Sequence, residues 1–344
     1  MTTFLRPDET GVTSPTWRRL ASGELPWALL RARAAILAGI RAFFQSRGFL
    51  EVDTPVALAY PNIDSNIYPV TIADAAERKR PFFLHTSPEL SMKKLIAAGS
   101  GDIFYLGKVF RDREGSPLHC PEFTMLEWYR VGGTADDIMH DVEALSRELS
   151  EAITGKSEIV RGGETISLSD AWNRWELTDA FEATLGVSAT DEAGLRKSLE
   201  TRSLRPGTGE GWEDLFFRAY VDVIEPALAA KGACFLTGFP SPLAAMAKRR
   251  AGDPEISERF EGYVFGIELV NGYEELTDPA EQGARLLELV AAHREKSGEV
   301  LPIDPDFLGA LRMGLPPCSG AALGVDRLIM LLLGRDDIAD VSYR

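Results

Sequence analysis

The sequence predicts an α+β fold in which helices flank a central antiparallel sheet. Strand-like segments neither alternate regularly with helices nor gather in one part of the chain, which disfavours a parallel α/β sheet. The clearest two strands, residues 102–110 and 119–130, are separated by a short charged loop. A chain of 344 residues can bury a sizeable core. We expect residues 1–28 to be a lead-in and residues 29–344 to form a single domain.

Apolar spacing and breaker residues predict the individual elements in chain order. Helices are predicted at residues 29–47, 90–98, 136–153, 279–296 and 326–333, with a mostly helical region at 170–232. Further strands are predicted at residues 49–54, 82–85, 233–239, 259–270 and 319–325. Residues 61–80 are expected to form a loop and residues 155–165 a turn-rich break. Asn271-Gly272 is a strong turn signal, so a chain reversal is predicted there.

Bulk composition excludes several classes of protein. The net charge of −15 disfavours a large nucleic-acid footprint, because nucleic-acid binders usually present a basic surface. Cys120, Cys234 and Cys318 are far apart, so neither a zinc knuckle nor a disulfide framework is indicated. The N-terminus lacks the layout of a signal peptide, and no apolar run is long enough to span a membrane. A cytoplasmic location is therefore expected, without a membrane partner.

The most informative strand is the second of these, residues 119–130. Its two-residue period places Phe123, Glu127 and Tyr129 on one face. Burying an unpaired carboxylate is costly, so an acid among apolar neighbours favours a binding site over a plain core strand. Phe123 offers a plate for a flat ligand and Glu127 an anion for an amine. Arg111, at the start of the preceding loop, adds a positive charge suited to phosphate, whereas His119 is interpreted as a loop or packing residue.

Three further segments have two interpretations each. The glycine-spaced strand before Arg327 fits a close ligand approach, or a buried strand–turn–helix with Asp326 as the helix cap. If the chain reverses at Asn271-Gly272, Glu268 and Glu275 could share one Mg²⁺, since Mg²⁺ takes one or two carboxylates plus phosphate oxygens. They could equally be solvated hairpin charges. Residues 87–89 could begin a helix or bind a ligand.

Taken together, the segments resemble the catalytic domain of class II aminoacyl-tRNA synthetases, closest to lysyl-tRNA synthetases. The helix to Gly48 with residues 49–55 looks like motif 1, residues 110–129 like motif 2, and residues 320–327 like motif 3. The resemblance covers residue 30 to the end. It implies a homodimer built on motif 1. It also implies two steps, formation of an aminoacyl-adenylate from ATP and attack on it by an acceptor amine, with ATP and Mg²⁺ as cofactors.

The resemblance also implies roles for individual residues. Arg111 and Arg327 are the expected catalytic residues, and Glu268 and Glu275 the expected Mg²⁺ ligands. The expected ATP-binding residues are Arg111, Asp112, Arg113, Glu114, Cys120, Phe123, Glu268, Leu269, Gly324 and Arg327. The expected substrate-binding residues are Ser87, Pro88, Glu89, Glu127, Tyr129, Glu275 and Ala322. The family's Arg-Asn-Glu in motif 2 is here Arg111-Asp112-Arg113-Glu114, so adenine recognition is expected to differ.

Two departures from lysyl-tRNA synthetases refine the resemblance. Some thirty residues precede the first predicted helix, too few for an anticodon-binding barrel, so no anticodon recognition of tRNA is expected. A catalytic domain of this kind is similar to the elongation factor P–(R)-β-lysine ligase family, which implies elongation factor P as acceptor of lysine or (R)-β-lysine. Ala322, where glycine is usual, favours β-lysine. The alternatives are a truncated enzyme acting on tRNA or a small amine, and a non-catalytic regulatory paralogue.

Overall fold

The computed structural model describes residues 16–72 and 82–343. Within these residues the chain forms fourteen strands and eleven α-helices. The strands are β1 (Leu50–Glu51), β2 (Ala57–Leu58), β3 (Thr71–Ile72), β4 (Phe82–Leu84), β5 (Ile103–Phe110), β6 (Glu122–Val131), β7 (Glu158–Arg161), β8 (Glu164–Ser167), β9 (Asn173–Glu176), β10 (Ala233–Pro240), β11 (Arg249–Arg250), β12 (Asp253–Val264), β13 (Ile267–Glu274) and β14 (Cys318–Gly324). The helices are α1 (Thr16–Ser22), α2 (Trp27–Ser46), α3 (Glu89–Ala97), α4 (Ala135–Thr154), α5 (Leu177–Leu185), α6 (Glu192–Thr201), α7 (Trp212–Ala219), α8 (Glu225–Leu228), α9 (Pro279–Ser297), α10 (Pro305–Gly314) and α11 (Val325–Leu332).

A nine-stranded sheet forms the centre of the fold. Its order is β1-β5-β6-β14-β13-β12-β10-β9, with β11 paired to β12. Only the outer pairs β1–β5 and β10–β9 are parallel, and the pairs between them are antiparallel. The predicted α+β class with a central antiparallel sheet is therefore confirmed.

The sheet separates two layers of helices. On one face, Phe104, Trp128 and Leu323 join a core cluster with side chains from α2, α4 and α11. On the other face, Tyr105 and Met125 pack with side chains from α3, α9 and α10. This alternation along β5 and β6 is the two-residue period expected of strands that are covered on both faces. Helices α5–α8 build a separate cluster against β10 and β12.

The chain reversal predicted at Asn271-Gly272 is wrong. The turn between β12 and β13 lies at Phe265-Gly266, where both residues have positive φ (53° and 72°) and Val264 pairs with Ile267. Two positive-φ residues form the tight turn that suits a two-residue hairpin. Asn271 and Gly272 lie inside β13 instead, paired with Ala322 and Ala321 of β14.

Gly272 is explained by crowding rather than by a turn. A Cβ atom there would lie 2.5 Å from the Phe260 ring and 2.8 Å from the Gly320 carbonyl oxygen. We expect Gly272→Ala to lower the free energy of unfolding by about 2–3 kcal/mol, because the added methyl group overpacks the core. Urea unfolding followed by circular dichroism would measure the change.

The matched control is Gly309→Ala in α10, where a Cβ atom would meet nothing within 4 Å. This change should leave stability unchanged or raise it by about 0.5–1 kcal/mol, because alanine is the better helix former. Equal effects of the two substitutions would contradict the crowding explanation for Gly272.

Three other segments are more ordered than the sequence predicts. Most of the turn-rich break expected at residues 155–165 belongs to the β7–β8 hairpin, which spans residues 158–167 and turns at Gly162-Gly163. Part of the expected loop at 61–80 forms β3, which pairs with β4, and residues 73–81 lie outside the described residues. Of the expected lead-in, residues 16–28 contain α1 and the start of α2, with Leu20 and Leu25 buried, while residues 1–15 lie outside the described residues. Among the described helices, none combines the length and apolar character needed to cross a bilayer.

Candidate active site

A cavity of about 760 Å³ lies over the centre of the sheet, on the face covered by α3, α9 and α10. Its floor is a row of side chains in register across four strands, Glu127, Ala322, Asn271 and Glu261. The neighbouring row consists of Tyr129, Gly320, Tyr273 and Arg259. Each strand therefore presents alternate residues to the same chamber.

Glu127 is the buried acid at one end of this floor. It is 2% exposed, and both of its carboxylate oxygens accept hydrogen bonds: one from Ser87 Oγ at 2.6 Å and one from Tyr129 Oη at 2.8 Å. Burial, together with the nearby Glu89 carboxylate, raises the pKa of Glu127 to about 8. A buried carboxylate with so high a pKa is stabilised as the anion when a cation enters the site.

The start of α3 supplies a second acid. Ser87 Oγ accepts a hydrogen bond from the Glu89 backbone N–H at 3.0 Å while donating to Glu127. The Glu89 carboxylate accepts hydrogen bonds from Tyr273 Oη and from Lys93 Nζ. This end of the cavity is therefore lined by carboxylates and phenols, the groups that bind ammonium ions. We call it the amine end.

Two arginines occupy the other end. Arg111 follows β5, and its guanidinium lies 5.1 Å from the centroid of the Phe123 ring. Its Nε is buried without a hydrogen-bond partner among the described residues, so a donor is available for a ligand. Burial lowers the pKa of Arg111, while Glu114 and Glu268 act to raise it. An arginine remains charged nonetheless, so this end suits phosphate.

Arg327, on α11, is held by the loop of motif 2. It donates to the Leu118 carbonyl oxygen at 3.2 Å and to the Glu268 carbonyl oxygen at 2.8 Å, and its Nη2 lies 2.6 Å from His119 Nε2. Burial and the Arg327 charge lower the pKa of His119, so the neutral imidazole can accept from Arg327. His119, interpreted from the sequence as a loop or packing residue, therefore positions a predicted catalytic residue.

Asp326 connects the two arginine-bearing segments to α2. Its carboxylate pairs with Arg33 and accepts a hydrogen bond from the Thr124 backbone N–H at 2.8 Å. Arg33 also donates to Thr124 Oγ1 at 2.8 Å. The interpretation of Asp326 as a helix cap is wrong, since α11 begins at Val325 and its N-cap residue is Gly324, which provides no side-chain cap. Instead, this buried network fixes motif 3 to the strand that carries Phe123.

The glycines of β14 act differently from one another. A Cβ atom at Gly320 would lie 2.4 Å from the Tyr129 ring, so this glycine makes room for a side chain of the protein. A Cβ atom at Gly324 would meet only the Arg327 side chain, at 3.8 Å, an ordinary contact. Of the two, Gly324 is the position open to a ligand.

Thirteen of the seventeen predicted site residues line the cavity. They are Ser87, Glu89, Arg111, Glu114, Cys120, Phe123, Glu127, Tyr129, Glu268, Leu269, Ala322, Gly324 and Arg327. The four that do not line it are Pro88, Asp112, Arg113 and Glu275. The Arg113 guanidinium lies 4.0 Å over the Tyr68 ring, and the Asp112 backbone bonds the Tyr68 carbonyl oxygen. Glu114 is therefore the acid of this loop that reaches the cavity.

The predicted pairing of Glu268 with Glu275 around one Mg²⁺ is not formed. Glu268 lies near the start of β13 and Glu275 directly follows its last residue, so seven steps along an extended chain separate them by roughly 20 Å. Glu268 lies 3.4 Å from Arg327, whereas Glu275 is 3% exposed and lies 2.5 Å from Lys93. Over residues 16–72 and 82–343, no group of three or more His, Cys, Asp or Glu side chains could hold a metal ion. Glu268 lines the cavity and its side chain is accessible, so it fits Mg²⁺ if nucleotide phosphates complete the shell.

The cavity also contains residues that the motifs did not predict. Among them are Asn271 and Tyr273 on β13, and Arg259 and Glu261 on β12. The sequence pattern that could have identified these residues is the two-residue period of β12 and β13. The wrong prediction of a turn at Asn271-Gly272 concealed that period. Glu261 accepts hydrogen bonds from Tyr220 and Tyr263 at 2.5 and 2.6 Å and pairs with Arg259 at 2.6 Å.

An antiparallel sheet with arginines at one end of its cavity and buried carboxylates at the other defines a class II synthetase-type catalytic domain. The chain matches the family described as tRNA synthetases class II (D, K and N) over residues 20–343, and it belongs to that family. The resemblance to class II synthetases, which the three motifs indicated, is thus confirmed.

Three relatives show which members of this family the chain is similar to. The elongation factor P–(R)-β-lysine ligase of Vibrio cholerae is 37% identical over 338 residues, which cover 96% of this chain and 98% of the relative. The enzyme of the same name from Yersinia enterocolitica is 38% identical over 322 residues (92% of this chain and 94% of the relative). An elongation factor P–(R)-β-lysine ligase homolog from Aquifex aeolicus is 38% identical over 318 residues (92% and 99%).

Proposed function

We propose that this protein is an ATP-dependent ligase that activates lysine or (R)-β-lysine as an aminoacyl-adenylate and transfers it to a lysine side chain of elongation factor P. The observation that carries this proposal is that the two ends of the cavity present opposite charges. Buried Glu127 and half-buried Glu89 suit the ammonium groups of the amino acid, and Arg111 at the opposite end suits the phosphates of ATP. The names of the relatives support the choice of acceptor and amino acid.

In the first step, a carboxylate oxygen of the amino acid attacks the α-phosphorus of ATP. A bond forms between that oxygen and phosphorus, the bond to the β-phosphate oxygen breaks, and pyrophosphate leaves. Arg111 neutralises charge that develops on the α-phosphate. Phe123 and Arg327 hold the adenine ring, and Glu114 is available to accept from its amino group. Glu268 would hold Mg²⁺, which supplies positive charge to the phosphates when bound.

In the second step, the neutral amine of the acceptor lysine attacks the activated carbonyl carbon. An amide bond forms, the bond between the carbonyl carbon and the phosphate oxygen breaks, AMP leaves with the electron pair, and the amine nitrogen releases one proton to solvent. No covalent enzyme intermediate is needed, because holding the two reactants together supplies much of the rate. Glu127, Glu89 and Tyr129 keep the amino acid in place by its ammonium groups during the attack.

The proposal is tested by the intact mass of elongation factor P after incubation with this protein, ATP, Mg²⁺ and either L-lysine or (R)-β-lysine. A gain of one lysyl unit is expected. Pyrophosphate exchange without that gain would refute the acceptor and direct the search to tRNA or small amines. No amino-acid-dependent exchange would refute the enzymatic function and favour a regulatory paralogue. The expected homodimer and single catalytic domain stay predictions, which light scattering and limited proteolysis would check.

Ala322 is proposed to favour the β-isomer. Its position on β14 lies between Glu127 and Asn271 on the cavity floor, where its methyl group adds bulk next to the amine end. We expect Ala322→Gly to lower the ratio of kcat/KM for (R)-β-lysine over that for L-lysine about tenfold, because one methyl group contributes modest discrimination. Pyrophosphate exchange with each isomer would measure the ratio.

The control for Ala322 is Ala233→Gly, which also introduces a glycine into a strand of the sheet but lies outside the cavity. This variant is expected to keep the ratio of the parent protein. An unchanged ratio in Ala322→Gly would refute the role of the methyl group.

A further inference from the structure

Two residues that line the cavity have buried polar side-chain atoms without a hydrogen-bond partner among the described residues. One is Arg111, through its Nε, and the other is Asn62, through both Oδ1 and Nδ2. A buried amide that makes no hydrogen bond raises the free energy of the folded protein, so a ligand that completes its bonds is favoured. Arg111 has a role in the proposed chemistry, whereas Asn62 has none.

The loop that carries Asn62 lies next to Arg111. It joins β2 to β3, and it lines the cavity over residues 62–67. Burial lowers the pKa of Arg111, and the Asp64 carboxylate is one of the charges that act to raise it, so Asp64 lies near the guanidinium. Two steps along the chain span at most about 7 Å. Asn62 therefore lies in the same part of the cavity as Arg111.

The β2–β3 loop is anchored on two sides. The Asp112 backbone N–H donates to the Tyr68 carbonyl oxygen at 2.8 Å. On the other side, Nδ1 of the buried His293 on α9 lies 2.9 Å from the Asp64 carbonyl oxygen. The Asn62 amide is thus held at the cavity before a ligand binds, which reduces the entropy lost on binding.

We infer that Asn62 binds the amine that the amino acid carries next to its carboxylate, with Oδ1 accepting a hydrogen bond from the ammonium group. The inference rests on the proposed function and deepens it. In that function the carboxylate reacts beside Arg111, and this amine is only one or two carbons away from it. Nδ2 is left to donate to a carboxylate oxygen of the same ligand. An ammonium group has three donors, so the amide adds to the contact with Glu127 and does not replace it.

A neutral acceptor suits this position better than an acid. A free carboxylate here would pair with Arg111 and compete with phosphate for the guanidinium. Asp64, the acid of the loop, is engaged differently, since its Oδ1 accepts from the backbone N–H groups of Asn66 and Ile67 at 2.7 and 3.1 Å. Asn62 can therefore recognise the amine while Arg111 remains available to phosphate.

The test is Asn62→Leu, which keeps the approximate shape of the side chain and removes both polar atoms. In ATP–pyrophosphate exchange with the lysine isomer that the parent protein activates, we expect kcat/KM to fall about 10- to 100-fold, the range for a lost hydrogen bond to a charged group. The comparison ligand is 6-aminohexanoic acid, which has the carboxylate and the distant amine but lacks the amine next to the carboxylate. Its Ki as an inhibitor of the exchange should rise no more than about threefold.

Thermal unfolding without ligand adds a readout that a structural role would not share. Because the Asn62 amide is unpaired in the ligand-free protein, Asn62→Leu should unfold at the same temperature or a higher one. The matched control is Asn173→Leu, which replaces an exposed asparagine of β9 outside the cavity. It should leave kcat/KM for lysine within about threefold of the parent protein.

The outcomes separate the inference from the proposal beneath it. A loss confined to lysine, with no loss of stability, supports the role of Asn62. Equal losses for lysine and 6-aminohexanoic acid, no loss for either, or a lower unfolding temperature of the ligand-free variant would overturn that role, while lysine-dependent exchange in the parent protein left the proposed function standing. A parent protein without lysine-dependent exchange would overturn both.

Discussion

Arg111→Ala is expected to reduce lysine-dependent pyrophosphate exchange about 1000-fold or more while the protein stays folded. The Arg111 guanidinium lies at the phosphate end of the cavity against the Phe123 ring, with Nε unpartnered among the described residues. Charge that develops on the α-phosphate in the transition state would lose its nearest fixed cation, and such donors contribute this much in comparable enzymes. Because Arg111 forms no ion pair within residues 16–72 and 82–343, the free energy of unfolding should change little.

Arg113→Ala is the matched control for this prediction. It removes an arginine two residues away that stacks on Tyr68 and does not line the cavity. Exchange should stay within about threefold of the parent protein, as for a surface charge remote from the chemistry. If Arg111→Ala were as active as Arg113→Ala, the assignment of the phosphate end would be wrong.

Glu127→Gln is expected to lower kcat/KM for lysine by at least about 100-fold. The substitution keeps the shape and an acceptor for Ser87 and Tyr129 but removes the buried negative charge. Loss of one member of a desolvated charge pair commonly has an effect of this size. The control is Glu122, which lies on the same strand as Glu127 but is exposed and pairs with Lys108 of β5 at 3.2 Å. Glu122→Gln should leave kcat/KM for lysine near that of the parent protein.

The same carboxylate predicts a pH dependence. Burial and Glu89 raise the pKa of Glu127 to about 8, so in the empty site at pH 7 the group tends to hold a proton. A substrate ammonium binds the ionised form, so binding releases that proton and affinity rises with pH. The KM for lysine should therefore fall between pH 6 and pH 8 in the parent protein. A Glu127→Gln variant with the same slope would show that another group titrates.

The ends of the cavity could be predicted because each follows from a local pattern. The alternation along residues 119–130 placed Phe123, Glu127 and Tyr129 on one face, and β6 presents them to one chamber. The breaker at Gly48 likewise places the end of α2 close to that observed, at Ser46. Local propensity and period agree with the tertiary structure in these segments, so sequence reasoning succeeds there.

What could not be predicted depends on contacts between distant segments. Gly272 is a glycine because Phe260 and Gly320 approach it, a reason that a dipeptide pattern cannot reveal. Lys93 reads as an ordinary helix lysine until β13 brings Glu275 against it. His119 is identified only by its contact with Arg327, which lies more than 200 residues further along the chain. In each case a tertiary contact, and not the local sequence pattern, determines the role of the residue.

The helices α5–α8 have a hydrophobic cluster of their own, separate from the cluster at the centre of the sheet. Packed units of this kind commonly open and close as cooperative units with their own local free energy. The same layer sends Glu213 and Phe217 of α7 into the cavity wall. A ligand that binds only when this wall is closed shifts the opening equilibrium of the whole layer toward the closed state. Affinity at the cavity and local unfolding of these helices are therefore thermodynamically linked.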